Sequence, residues 1–112
     1  LLLGLAYKAN VDDVRESPSF ALWDLLEARG AQVAYHDPHV PVVPQTRDHA
    51  GRAGVSGVDL SSDTVGGFDC VLIATGHAAV DYTGLANAAS LIVDTRNAMA
   101  TVTTSRAELV KA

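Results

Sequence analysis

The chain has 112 residues, of which 48% are hydrophobic and 19% charged, proportions that are typical of one soluble folded domain and exclude a disordered segment. Lysine and arginine number 8 against 13 aspartates and glutamates, and the resulting net charge of −5 argues against a general nucleic-acid surface. A small anionic ligand held by a few well-placed cations remains compatible with this balance.

The first predicted strand is the continuous apolar run 1–6, a pattern typical of a buried parallel strand. Because this run begins at the first residue without a methionine, we expect the chain to be a domain cut from a longer protein. A loop with five charged side chains follows at 7–16. Ser17 as N-cap, Pro18 at the first helical position and Gly30 as stop signal predict a helix between them. Its predicted buried stripe is Ala21, Leu22, Leu25, Leu26 and Ala28 or Arg29.

The remaining elements are predicted from short apolar runs separated by turn residues. No run approaches the ~20 apolar residues of a membrane-spanning helix. The tail after Asn97 is ambiguous, and its last eight residues, 105–112, are compatible with a short helix. The other predictions are strands at 31–38, 57–62 (weak), 70–76 and 90–95, a loop with some helical character at 39–57, and a helix at 82–89.

Alternation of strands and helices predicts a single α/β domain over residues 1–112. We expect three layers, with a mainly parallel sheet of about five strands and right-handed crossovers. The fold would be Rossmann-like without the dinucleotide fingerprint, since neither "GRAGVSG" nor "VGGFD" matches that motif or a P-loop. In such a sheet, ligands bind beyond the carboxyl ends of the strands.

Three cations are expected at that carboxyl edge. Lys8 follows the first strand by two residues, Arg15 precedes the helix N-cap, and Arg96 follows the strand 90–95. Free N–H groups at a helix start and an adjacent guanidinium favour phosphate or carboxylate, so the sequence predicts a site for a phosphate-bearing ligand. The alternative, at roughly even weight, is a solvated loop in which the cations pair with neighbouring carboxylates, as exposed ion pairs commonly do.

Other reactive side chains carry weaker hypotheses. His36, Asp37 and His39 resemble a metal cluster but lack the further ligands that zinc requires, so a solvated turn is favoured and no metal is expected. Cys70 is the only cysteine, which excludes an intrachain disulfide and favours an inert core thiol in a reducing cytoplasm. His77 ends a predicted strand, where a structural role is favoured over contact with a ligand.

The segment "LGLAYKANVDDVRESP" resembles the opening of the C-terminal, UDP-binding domain of the UDP-glucose/GDP-mannose dehydrogenase family. The resemblance continues through "GAQVAYHDPHVP", "FDCVLIATGH" and "LIVDTRN", and so covers roughly residues 1 to 97. Within the family, the first motif is most similar to UDP-N-acetylglucosamine and UDP-N-acetylmannosamine 6-dehydrogenases. These enzymes oxidise the C6 hydroxyl of a nucleotide sugar to a carboxylate in two NAD-dependent steps.

The resemblance implies roles for individual residues. Tyr7 and Lys8 would bind the nucleotide sugar, with Lys8 a possible contributor to the active site, and Arg96 would bind the same substrate. Arg15 would reach NAD, which is held mainly by an N-terminal domain of the same polypeptide. The family's catalytic cysteine belongs to a "SCFPKD"-like segment that this chain lacks, so Cys70 is not the nucleophile and the chain alone would not be catalytic. A homo-oligomeric full-length enzyme is also implied.

Two other classes of protein stay open. A stand-alone, non-catalytic nucleotide-binding module would share this fold. A signalling domain of flavodoxin-like architecture would carry acidic residues at the end of the first strand, where this chain has Tyr7 and Lys8.

Overall fold

The computed structural model describes residues 1–103 and 106–112. None of the helices in these ranges is long and apolar enough to cross a membrane. The elements in chain order are β1 (Leu2–Leu3), α1 (Pro18–Ala28), β2 (Tyr35–His36), a 3-10 turn (Ala50–Arg52), α2 (Ser62–Gly66), β3 (Val71–Ile73), α3 (Tyr82–Ala88), β4 (Leu91–Asp94) and β5 (Glu108–Lys111).

The strands form one five-stranded sheet in the order β2-β1-β3-β4-β5, and every neighbouring pair of strands is parallel. The central strand β1 pairs with β2 on one side and β3 on the other, so that Leu2 lies opposite Tyr35 and Leu72. The predicted α/β class and parallel sheet are confirmed. All carboxyl ends therefore meet at one edge of the sheet, hereafter the carboxyl edge.

Each face of the sheet has its own apolar core, because successive side chains of a strand point to opposite faces. Leu2 packs on the side of α1, with Phe20, Trp23 and Tyr35 among its cluster. Leu3 packs on the opposite side, with core residues of α2 and α3. The predicted three-layer arrangement is confirmed, and its two cores fix both faces of the strands that lead to the carboxyl edge.

Helix α1 has the predicted ends but a different buried face. Ser17 accepts a hydrogen bond from the Ser19 N–H at 3.2 Å, and Gly30 closes the helix with a φ of +91°. The predicted stripe is confirmed only in part: Leu22 and Leu26 are half-buried, but Leu25 is 60% exposed. The fully buried apolar side chains are instead Phe20 and Trp23. The helix buries its aromatic side chains because they remove the most apolar surface from water.

Two predicted elements are wrong. Residues 57–62 form no strand; Val58 N–H donates to the Tyr35 carbonyl, but the chain then turns into α2 at Ser62. The tail forms β5 rather than a helix, since residues 108–111 pair with β4 over their whole length. The first residue of the predicted tail helix, residue 105, lies outside the described residues. The other strands are shorter than predicted, and the loop over 39–57 with its helical turn is confirmed.

Candidate functional site

Four chain segments leave the sheet at the carboxyl edge and carry polar side chains there. The segment after β1 is the charged loop, residues 7–16, which leads into α1. The segments after β2, β3 and β4 bring Asp37, His77 and Arg96 to the same edge. The placement follows from parallel topology, which gathers strand ends that are far apart in sequence.

Tyr7 and Lys8 lie together at the start of the charged loop. The Tyr7 N–H donates to the Asp13 carbonyl at 2.9 Å, which closes the loop on itself. Tyr7 is 41% exposed, and the Lys8 ammonium lies 5.5 Å from the centroid of its ring. Within the described part of the chain, Lys8 makes no ion pair with a carboxylate, so its charge is available to an anionic ligand.

Arg15 forms a fork with Asp13 at the surface of the same loop. Its Nη2 donates to Asp13 Oδ2 at 2.6 Å and its Nε donates to Oδ1 at 3.0 Å. These bonds lower the pKa of the Asp13 carboxyl to about 2. The Arg15 side chain is 83% exposed, so water screens the pair. The alternative interpretation of the loop as an ion-pair network therefore describes Arg15, but it does not describe Lys8.

Arg96 is fixed by the turn that follows β4. Buried Asp94 accepts hydrogen bonds from the N–H groups of Arg96, Ala98 and Met99 at 2.9 to 3.2 Å. Burial alone would raise the pKa of Asp94, but the N–H groups of Met99, Arg96 and Ala98 outweigh it and lower that pKa. Arg96 Nε donates to the Ala74 carbonyl at 2.9 Å, which holds the exposed side chain across the end of β3.

Asp37 and His77 form a fully buried pair between the ends of β2 and β3. His77 Nε2 and Asp37 Oδ2 are 2.8 Å apart, and neither side chain has solvent exposure. The same oxygen accepts from the Leu5 and Ala6 N–H groups at 2.8 and 3.0 Å, and Oδ1 accepts from His39 N–H at 2.8 Å. Burial favours a raised pKa at Asp37, but these hydrogen bonds dominate and lower it. The interpretation of this segment as a solvated turn is wrong for Asp37.

The other nitrogen of His77 faces the charged loop. Asn10 N–H donates to His77 Nδ1 at 2.9 Å, and Asn10 Oδ1 accepts from Ala78 N–H at 2.8 Å. The favoured structural role of His77 agrees with this geometry. Asp37 directly follows β2, and His77 lies in the segment that leaves β3, so the rule that selected the cations also applies to them. The sequence did not indicate that both side chains are buried.

The His39 ring contacts the His77 ring with centroids 4.7 Å apart, whereas His36 and Cys70 lie apart from this cluster. His36 bonds to the Val58 carbonyl at 2.6 Å, on the other side of β2 from Tyr35. Across the described residues, no group of three or more His, Cys, Asp or Glu side chains is arranged to hold a metal ion. Burial raises the pKa of the Cys70 thiol, which disfavours the reactive thiolate.

A cavity of 660 Å³ opens at the opposite, amino edge of the sheet. Its walls come from the chain before β1, β2 and β3 and from the end of α1, and they hold no lysine, arginine or histidine. A phosphate-bearing ligand would meet no cationic side chain in this lining, so the carboxyl edge is the stronger candidate. The lining includes Leu1, Leu26, Gln32, Phe68 and Cys70.

Comparison with known proteins agrees with these features. Residues 1–101 match the model of the UDP-glucose/GDP-mannose dehydrogenase family, UDP binding domain. The UDP-glucose 6-dehydrogenase YwqF of Bacillus subtilis is 34% identical over 85 residues, which are 76% of this chain and 19% of that protein. The UDP-N-acetyl-D-mannosamine dehydrogenase of Methanococcus maripaludis is 33% identical over 76 residues, 68% of this chain and 15% of that protein. The chain thus spans under a fifth of either relative.

Solved structures with the same fold are also dehydrogenases by name. The UDP-N-acetyl-mannosamine dehydrogenase of Staphylococcus aureus superimposes with a TM-score of 0.69 at 27% identity, over 98% of this chain and 25% of its own. The GDP-mannose dehydrogenase of Pseudomonas aeruginosa gives 0.68 at 25% identity, over 96% of this chain and 27% of its own. Relatives of different sugar specificity stand at similar identities, so identity alone does not select one sugar.

Proposed function

The chain belongs to the UDP-glucose/GDP-mannose dehydrogenase family, in which it corresponds to the UDP binding domain, and from this premise we propose that Tyr7, Lys8 and Arg96 bind a UDP-sugar. The observation that supports the proposal is that the segments carrying these residues leave the sheet at the same carboxyl edge. Tyr7 and Lys8 lie in the charged loop after β1, and Arg96 lies in the turn after β4. These two segments are nearly the whole chain apart in sequence.

Charge and geometry favour a diphosphate at this edge. Lys8 supplies an ammonium with no competing carboxylate among the described residues, and Arg96 supplies a guanidinium held in place through its Nε. Charge-assisted hydrogen bonds from such groups are the strong contacts of phosphate recognition. The exposed Tyr7 ring next to Lys8 offers an apolar surface with a polar tip, suited to a nucleotide or sugar.

We further propose that the domain works within an NAD-dependent UDP-sugar 6-dehydrogenase, which would oxidise the sugar C6 hydroxyl to a carboxylate. The curated relatives are much longer than this chain, which supports an N-terminal NAD domain in the same polypeptide. The product would be a UDP-hexuronic or UDP-N-acetylhexosaminuronic acid. The chain alone would bind but not catalyse, and the complete enzyme would be a cytoplasmic homo-oligomer.

We expect this chain to contact NAD through one residue, Arg15. When bound, NAD would accept hydride from the sugar C6, but the chain lacks the glycine-rich turn that cradles a pyrophosphate. We assign Arg15 to the cofactor side, because its fork is exposed and already engages a carboxylate. An incoming phosphate would exchange with Asp13 at that fork and keep the bidentate geometry.

The test is a titration of the chain with UDP, UDP-N-acetylglucosamine and UDP-N-acetylmannosamine, followed by amide NMR shifts. We expect shifts at residues 7–15 and 95–97. Lys8→Ala is expected to weaken UDP binding by about tenfold, the usual loss for a hydrogen bond to a charged group. Arg29→Ala, at the far end of α1, is the matched control that removes the same charge and should leave binding unchanged. Shifts confined to the amino-edge cavity would refute the assignment.

A further inference from the structure

The charged loop is bonded to the rest of the domain at Asn10, midway between its two ends. Its own hydrogen bonds, from Tyr7 to Asp13 and from Arg15 to Asp13, shape the loop but do not place it on the sheet. The two bonds of Asn10, to His77 and to Ala78, join it to the segment that leaves β3. The position of Lys8, two residues away, therefore depends on this junction.

The acceptor at the junction is a buried ring nitrogen. A backbone N–H can only donate, so His77 Nδ1 must carry a lone pair toward Asn10. His77 Nε2 faces the Asp37 carboxylate, so this nitrogen carries the proton. Asp37 in turn is fixed by the N–H groups of Leu5 and Ala6, the last residues before the loop. One chain of hydrogen bonds thus runs from the base of the loop through two side chains to its middle.

We propose that His77 is a positioning residue, oriented by Asp37, that holds the charged loop in its ligand-binding geometry as a neutral Nε2–H imidazole. The ring has no solvent exposure, so it would act through the loop rather than on the substrate. The inference rests on the proposed UDP-sugar site, since the loop carries Tyr7 and Lys8. Its physical basis is that an unsatisfied N–H at Asn10 would favour an open loop.

Two substitutions separate the two nitrogens of His77. In His77→Gln, the side-chain amide reaches the Nε2 position and donates to Asp37, but nothing replaces the acceptor for Asn10 N–H. In His77→Asn, the shorter side chain places its oxygen near the Nδ1 position and keeps that acceptor, while the bond to Asp37 is lost. Both remove an aromatic ring from a buried site, so their packing losses are similar.

A third variant controls for lost stability alone. Val65 is fully buried in the core between the sheet and helices α2 and α3, on the face of the sheet away from α1. Val65→Ala removes buried methyl groups there without touching the charged loop. Any effect of His77→Gln that Val65→Ala reproduces at equal stability would be structural.

The experiment measures two properties of the four proteins: amide hydrogen exchange at Asn10 and Tyr7 without ligand, and the Kd for UDP. Long-range ¹H–¹⁵N spectra of the wild type also report the tautomer of His77. We expect His77→Gln to speed exchange at Asn10 and to raise the Kd by about tenfold, as the loss of a buried hydrogen bond predicts. His77→Asn, which keeps the acceptor for Asn10 but loses the bond to Asp37, should lose less than His77→Gln. Val65→Ala should stay within about twofold of the wild type.

Unchanged exchange and Kd in His77→Gln would overturn the inference, as would an Nδ1–H tautomer in the wild type. Equal losses in His77→Gln and Val65→Ala would also overturn it, because the role would then be packing. A wild type that binds no UDP refutes the proposed function instead. In that case the exchange rate at Asn10 still decides whether His77 holds the loop.

Discussion

Gly4 is the position where the fold tolerates a side chain least. It follows β1 with a φ of +95°, and a Cβ built on it would lie 2.4 Å from the Thr75 Cβ and 2.7 Å from the Thr75 backbone nitrogen. Its own backbone is tied at both ends: the N–H donates to the His36 carbonyl at 2.8 Å, and the carbonyl accepts from Ser19 Oγ at 3.0 Å. The residue cannot move away from Thr75 without breaking these bonds.

The expected cost of Gly4→Ala has two parts. A left-handed backbone costs an L-residue about 1–2 kcal/mol. Forcing an additional methyl group into a packed contact costs about 1–3 kcal/mol more. We therefore expect the free energy of unfolding to fall by about 3 kcal/mol, a large part of the 5–15 kcal/mol of a typical domain. Trimming the Thr75 side chain would not relieve the clash, because the backbone nitrogen and Cα of Thr75 lie at 2.7 and 2.8 Å from the same position.

Gly30 provides the matched control for backbone strain. Its φ of +91° is nearly the same, but nothing lies within 4 Å of the Cβ position. Gly30→Ala should therefore cost only the strain, about 1 kcal/mol. Urea unfolding of the two variants and the wild type, followed by circular dichroism, measures the difference in the free energy of unfolding, provided that the m-values are equal. Equal losses for Gly4→Ala and Gly30→Ala would refute the close approach to Thr75.

Two further predictions concern ion pairing and acid. The pKa values of Asp37 and Asp94 are lowered in the folded state, so their contribution to stability is present above the unfolded pKa of 3.8 and is lost as the pH falls through the folded values. In Asp37→Asn, the free energy of unfolding, measured with urea, should therefore fall less steeply between pH 5 and 2 than in the wild type. An unaltered slope would contradict this. The Arg52 guanidinium lies 4.2 Å from the Trp23 ring centroid and 2.8 Å from the Glu27 carboxylate. Thermal unfolding should therefore show that Arg52→Ala lowers the free energy of unfolding by about 1 kcal/mol and Arg52→Lys by less. Equal stability of these two variants and the wild type would contradict this.

The elements that were predicted correctly are those whose sequence signals lie within the element itself or at its ends. The start of α1 depends on Ser17 and Pro18, and the strands around Val71 and Ile92 are continuous apolar runs. The errors arise where tertiary pairing overrides local preference. Residues 108–111 have a helix-compatible composition but pair with β4. Each pairing partner lies 17 positions earlier in the chain, which a local pattern does not reveal.

The buried face of α1 and the buried pair share one reason for being missed. Leu25 is as hydrophobic as Leu26, and only the shape of the sheet decides that Phe20 and Trp23 face inward. Likewise, a histidine after a strand is more often exposed, and only the convergence of two strand ends buries His77. The cations at the carboxyl edge were predictable because parallel topology alone places them; their roles remain a prediction.

Backbone strain in this domain is concentrated where the ligand is expected. Among the described residues, the non-glycine residues with positive φ are Asn10, Glu16 and Asn97, and all three lie in segments that leave the carboxyl ends of strands. Asparagine adopts this conformation more readily than most other residues. The Asn10 side chain also accepts a hydrogen bond from the distant Ala78 N–H, which ties it to the segment after β3. Glu16 has no such help, so hydrogen bonds and packing elsewhere must hold it. A loop that the surrounding structure holds in a single conformation is preorganised, so less conformational entropy is lost when a ligand binds. His77 Nδ1 accepts from the Asn10 N–H in the charged loop, and Asp94 separately holds the turn that contains Asn97.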